Sequence, residues 1–173
     1  MLENFDFLLL DKIALLKCDA FDWFFSHFTH LGDGGIIWIA IALLCLCFKK
    51  TRKTGFRIAL ALILGALIAN VTLKPLVARL RPFQIRNVDI LIPHPSDFSF
   101  PSGHTVSSFA ASFAIFRSNK KRGTMALIFA TLIAFSRLYL YVHFPSDVFS
   151  GVVIGLVCGY VSDKIINKIY SHR

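Results

Sequence analysis

Charge is scarce in this chain. Asp, Glu, Lys and Arg make up 17% of its 173 residues, where a soluble domain carries roughly a quarter. With 55% hydrophobic residues as well, the composition excludes intrinsic disorder. It also excludes a water-soluble single domain, because a chain of this size cannot bury so much apolar surface. Cysteine is sparse, with four residues (Cys18, Cys45, Cys47 and Cys158), three of them in apolar runs. No C-x-x-C and no His/Cys ligand spacing occurs, so neither a secreted disulfide scaffold nor a metal site is expected. A positive leader is missing too. The first residues, MLENFDF, are acidic, so no cleavable signal peptide is expected and residue 1 is read as part of the mature protein. What remains is an all-α, polytopic membrane helical bundle, a single domain over 1–173.

Five apolar stretches stand between polar punctuation, at about Leu31 to Phe48, Phe56 to Leu73, His104 to Phe116, Met125 to Tyr141 and Asp147 to Ser162. Several fall short of the roughly 20 residues that cross a bilayer, which predicts that one end of the bundle is recessed below the lipid surface. Ahead of them, Phe5 to Leu16 is too short to cross and is interrupted by Asp11 and Lys12. With the aromatic run Phe21, Trp23, Phe24, Phe25 and Phe28 it is expected to lie in the interface, the alternative being a helix packed inside the bundle.

Of the nineteen Lys and Arg residues, twelve fall in the connection after the first stretch (KKTRKTGFR), the connection after the third (RSNKKRG) and the tail after Ser162. Basic residues beside spans stay cytoplasmic. The predicted orientation has the N-terminus outside, the C-terminus inside, and the connections after stretches two and four away from the cytoplasm.

Those two outer connections carry the chemistry-bearing residues. Lys74 and Arg81 are seven apart, so any helical run between them puts both on one face, while Arg79 points about 140° away, toward lipid headgroups. In F-P-S-G-H-T, residues 100–105, Pro101 suits a helix start, Ser102 can cap, and Gly103 lets backbone N–H groups approach an anion. His104 is in the first turn. In S-R-L-Y-L-Y-V-H-F-P-S-D, residues 136–147, Arg137 precedes His143, and Asp147 follows four residues later. A carboxylate that takes the N–H of one ring nitrogen frees the other for attack. Each cluster also has a purely structural reading: snorkelling cations, a capping serine, a histidine satisfied by a nearby aspartate. The coincidence of all three at one end argues against that reading.

Lys74-x6-Arg81-Pro82, Pro101-Ser102-Gly103-His104 and Ser136-Arg137-x5-His143-x3-Asp147 together resemble the three-part signature of the type 2 phosphatidic acid phosphatase (PAP2) superfamily of lipid phosphatases. The resemblance implies phosphomonoester or diphosphate hydrolysis through a phosphohistidine, with no metal and no cofactor. His143 would be the nucleophile, Asp147 its orienting partner and His104 the general acid and base. Lys74, Arg81, Ser102, Gly103 and Arg137 would bind phosphate. The implied substrate is a lipid phosphate within the membrane, undecaprenyl diphosphate first, with phosphatidic acid or phosphatidylglycerophosphate as the alternative; no nucleic acid is expected. Relatives have glycine where this chain has Tyr141, some polyprenyl diphosphatases carry an acidic residue in place of Gly103, and longer members have an extra N-terminal span. A protein that only binds or transports a lipid phosphate would need the cations but not the His/Asp pair. Gly151, Gly155 and Gly159, at helical spacing, allow close helix packing, either within the bundle or between copies.

Overall fold

The computed structural model describes residues 2–171. The described residues hold nine α-helices: α1 Leu2–Ala14, α2 Asp19–Phe28, α3 Ile36–Cys47, α4 Arg52–Gly65, α5 Lys74–Val77, α6 Pro82–Arg86, α7 Gly103–Ser118, α8 Lys120–Tyr139 and α9 Pro145–Ser171. A 3₁₀ segment, Thr29–Gly35, joins α2 to α3, and π-helical turns, Ala66–Leu73, join α4 to α5.

The five apolar stretches are all helical. Three runs are long and apolar enough to cross a membrane, Asp19–Cys47, Arg52–Arg86 and Pro145–Ser171. α7, with 16 residues, measures about 24 Å, less than a bilayer core. It is the hub of the bundle, packing against α4, α8 and α9. Small side chains make this possible: Ala110, Ala111 and Ala114 are fully buried. On the facing side of α9, a Cβ at Gly155 would come within 2.7 Å of Phe109 Cβ, and one at Gly159 within 2.8 Å of the Ala110 carbonyl. The glycine stripe, with Gly151 against Thr105, is therefore consumed in α7–α9 packing inside one chain.

A second, smaller core closes the end where α7 begins. Phe7 and Leu10 of α1 and Phe25 of α2 pack there with Phe83, Tyr139, Leu140 and Phe144. α1 is thus docked on the bundle through one face, while Phe5, Leu8, Leu15 and Leu16 stay exposed. α2 leads through the 3₁₀ segment, which kinks at Asp33 and Gly34, into α3. At the opposite end the sequence's basic cluster conceals a buried ion pair: Arg57 and Arg117 both bind Asp163, each at 2.9 Å.

Candidate active site

Four short structural departures bring the site together. The first is the stretch of π-helical turns before Lys74, a wide winding often found at functional positions. Next, α5 ends after one turn at Ala78, whose φ of 48° is left-handed. Arg81 is then extended, and Pro82 opens α6. Lys74 and Arg81 do converge, but through this break and not along one helix face. Third, α7 starts at Gly103, where an added Cβ would lie 3.1 Å from Asn70 Oδ1 and 3.9 Å from Lys74 Nζ. Fourth, the α8–α9 connection turns at Tyr141, whose φ of 60° explains why glycine is expected there. Its hydroxyl offsets the strain by accepting from Arg86 at 3.1 Å and donating to Asp11 at 3.3 Å.

Lys74, Arg81, Gly103, His104, Arg137 and His143 line one cavity of about 260 Å³. Arg81 is almost fully buried: Nη1 donates to the Val142 carbonyl at 2.8 Å and to His143 Nε2 at 3.1 Å. Arg137, also buried, donates from Nη1 to Thr29 Oγ1 at 2.5 Å, and its Nε has no partner among the described residues. Asp97, on the α6–α7 loop, lies between two of the cations, bonded to Lys74 and, at 2.6 Å, to Arg81. Burial opposes its ionisation, but Lys74 and Arg81 outweigh that and hold the carboxyl at about 2. A carboxylate thus already sits where the cradle would take phosphoryl oxygens.

His143, in the α8–α9 connection, is buried, and that burial, reinforced by Arg81, Arg137 and Lys74, keeps its ring neutral far below the usual histidine range. Its Nε2 faces the cavity and Nδ1 faces inward. Asp147 stands behind it, with Oδ2 3.7 Å from Nδ1, too far for a hydrogen bond. Ser99 fills the gap: its hydroxyl donates to Asp147 Oδ2 at 2.5 Å and lies 3.5 Å from Nδ1. The carboxylate is held further by the Phe144 N–H at 2.9 Å and by Arg79 at 2.7 Å. The network assigns the Nδ1–H tautomer to His143, leaving Nε2 the acceptor, which here takes the Arg81 Nη1–H.

Arg79 does not reach lipid headgroups. It stacks on the Phe144 ring at 3.8 Å and joins Asp147 to Asp6 of α1, which it binds at 2.8 Å. A charge so close to two carboxylates is better solvated there than outside. Ser102 is fully buried one residue behind the cavity. Its hydroxyl accepts from Thr105 Oγ1 at 2.9 Å and its N–H donates to the Asp147 carbonyl at 3.2 Å, so it staples the start of α7 to α9 and makes no side-chain cap. Sequence reasoning missed Ser99, Asp6 and Asp33, whose carboxylate lies 2.8 Å from His104 Nε2. Ser99 had a local signal in its place just before the Pro-Ser-Gly-His run. Asp6 had none, since its partner Ser146 is 140 residues away.

The cavity adjoins a larger apolar one of about 520 Å³ between α3, α4 and α7. Ile39, Leu43, Leu62 and Ile63 line it, and it shares Lys74, Asp97, Gly103 and His104 with the polar cavity.

Comparison with known proteins agrees with this geometry. The PAP2 superfamily profile matches residues 54–170. An undecaprenyl-diphosphatase of Sulfolobus acidocaldarius is 35% identical over 131 residues, 75% of this chain and 63% of that protein, so the match spans less than two thirds of the relative's length. The crystal structure of Aquifex aeolicus LpxE superposes with a TM-score of 0.81 at 30% identity, over 91% of this chain and 94% of that one. A transmembrane PAP2 type phosphatidylglycerolphosphate phosphatase from Bacillus subtilis gives a TM-score of 0.80 at 26% identity, over 97% and 87%.

Proposed function

The chain belongs to the PAP2 superfamily, and from that premise we propose that it is an integral membrane lipid phosphatase acting through a phosphohistidine. The observation that carries this reading is the union of two cavities. A cradle of three cations and two histidines adjoins an apolar groove, the two sharing Lys74, Asp97, Gly103 and His104, an arrangement that fits a phosphate carried on a lipid chain.

In the proposed reaction His143 Nε2 attacks phosphorus in line with the leaving oxygen. Lys74, Arg81 and Arg137 hold the phosphoryl oxygens, with the N–H groups at the start of α7 beside Gly103 and His104. Substrate would displace Asp97 from Lys74 and Arg81. Asp147 orients His143 through Ser99, and Ser102 holds the α7 start in place. His104 protonates the leaving oxygen and then activates the water that cleaves the phosphoenzyme, help worth about 10²–10⁴-fold.

The architecture that accompanies this reading is one domain with five crossings, N-terminus outside and C-terminus in the cytoplasm. The site is then extracytoplasmic, at the end where α7 begins. An outward site favours a polyprenyl diphosphate such as undecaprenyl diphosphate, the activity named for the Sulfolobus relative. A glycerolipid phosphate is the second reading, favoured by the solved Bacillus neighbour. Phosphate release from pure lipid phosphates in detergent, with chelator present, tests both. Highest turnover of the polyprenyl diphosphate is expected; preference for phosphatidic acid or phosphatidylglycerophosphate would select the second reading; no release from any would overturn the phosphatase assignment.

A further inference from the structure

His104 has a partner that the family match does not include. The segment Thr29–Gly35 lies before residue 54, where the matched region begins, yet His30 and Asp33 line the polar cavity. Asp33 Oδ1 is 2.8 Å from His104 Nε2, and Asp33 Oδ2 is 2.7 Å from His30 Nδ1, so both carboxylate oxygens are fixed. The chain is shaped to allow this approach. A Cβ at Gly32 would meet His104 Cδ2 at 2.6 Å, so only glycine lets the segment close over the ring. Gly34 and Gly35 then turn the chain away with φ of 57° and 72°.

We propose that Asp33 is the positioning residue of the general acid: it fixes the Nε2–H tautomer of neutral His104 and favours its protonated form, leaving Nδ1 to exchange the catalytic proton. The proposal rests on the reading of His104 as acid and base given above.

The charge balance around His104 requires such a group. Arg137 from α8 and Lys74 from α5 oppose a third positive charge on His104, and neutral His143 does not offset them. Of the two carboxylates lining the cavity, Asp97 is already taken by Lys74 and Arg81, whereas Asp33 faces His104. His104 Nδ1 has no hydrogen-bond partner among the described residues. In the first step the bond between phosphorus and the leaving oxygen breaks, a P–N bond forms to His143 Nε2, and the Nδ1 proton of His104 passes to the departing oxygen. His104 is then neutral, its Nε2–H still donated to Asp33. In the second step a water oxygen bonds to phosphorus, the P–N bond breaks, and Nδ1 takes a proton from that water, restoring the starting state. The two histidines therefore work as opposite tautomers, each fixed on the nitrogen that does not react: His104 by Asp33 directly, and His143 by Ser99, which Asp147 holds in turn.

The test uses the full chain in detergent, with a lipid alkyl phosphate and an activated aryl phosphate, across pH. In Asp33→Asn the amide oxygen still accepts from Nε2–H, so tautomer is kept and charge is lost. The high-pH limb of alkyl phosphate turnover should move down by about one pH unit, as expected for losing one partly exposed opposite charge, while KM changes little. Asp33→Ala loses both functions and should lower alkyl phosphate kcat by roughly 10- to 100-fold, with the aryl ester much less affected because its leaving group needs no proton. Asp33→Glu, which keeps the charge, should recover part of the rate and controls for folding. An unmoved pH limb in Asp33→Asn, together with equal losses on both esters in Asp33→Ala, would overturn the proposal. If the wild-type chain hydrolyses neither ester, it is the phosphatase reading that falls.

Discussion

Ser99 stands between His143, the proposed nucleophile, and Asp147, so its loss should leave His143 in place but poorly oriented. Ser99→Ala is expected to retain phosphoenzyme formation with kcat lowered about tenfold, whereas folded His143→Ala forms no phosphoenzyme at all; single-turnover trapping with labelled substrate distinguishes the two. Asp97 acts in the opposite sense, as an internal anion competing for the cradle. Its carboxyl is held at about 2, so it is charged near neutral pH. Asp97→Asn should therefore tighten inhibition by inorganic phosphate or vanadate by roughly two- to five-fold, the scale of a partly exposed ion pair; weaker inhibition in the variant would make Asp97 a ligand and not a competitor. Lys74, Arg81, Arg137, His104 and His143 were legible in the sequence because chemistry of this kind fixes residue type and spacing within short segments. Ser99, Asp6 and Asp33 were not, because a serine or an aspartate has no pattern until folding decides what it faces.

Elements were legible where apolar runs alone decide them, and misjudged where a polar contact does. α3, α4, α7, α8 and α9 each overlap one of the five apolar stretches, but α4 gives way to π-helical turns at Ala66 and α9 runs on to Ser171, nine residues past the stretch. α1 has the composition of a surface helix, yet its Asp6 is buried and binds Arg79, the Ser146 N–H at 3.0 Å and the Ser146 hydroxyl. Arg86 adds a second fastening, bonded to Asp11 at 2.5 Å and lying over the Phe7 ring. The N-terminal helix is thereby tied to the residue that holds Asp147. Removing Asp6 leaves the Ser146 N–H unpaired and Arg79 with Asp147 as its remaining carboxylate partner, so Asp6→Ala should destabilise the fold by about 1–3 kcal/mol and lower kcat through a less constrained Arg79; Asp6→Asn, which still accepts hydrogen bonds, should do less of both. Thermal unfolding in detergent beside turnover measures the pair. Unchanged stability in Asp6→Ala would mean that α1 rests on its apolar contacts alone. The misjudged geometry of Lys74 and Arg81 has the same origin. Helical spacing assumed an unbroken helix, but the left-handed Ala78 ends it after four residues, and Asp97 gathers the two cations instead.

At the scale of the whole molecule, direction of the helices and distribution of charge give one answer. α4 runs from the basic turn at Lys49 and Lys50 toward Lys74, and α7 runs from the site at Gly103 back to Ser118, so the site and the basic connections occupy opposite ends of the bundle. Twelve basic residues lie at or beside the second end in sequence. Arg57 and Arg117 are neutralised there by Asp163, but Lys50 and Lys120 are exposed and make no ion pair among the described residues. Because cations at span ends are retained in the cytoplasm, twelve basic residues at that end against seven elsewhere support the proposed orientation. A single cysteine at Lys50 or Lys120, in a variant stripped of its four natural cysteines, should resist an impermeant thiol reagent in intact cells, and one at the exposed Asp89 of the site end should react. Reversed labelling would place the cradle in the cytoplasm. That outcome would leave the chemistry of His143 untouched but would remove the topological reason for preferring a polyprenyl diphosphate presented at the outer surface, and the glycerolipid reading would then take precedence.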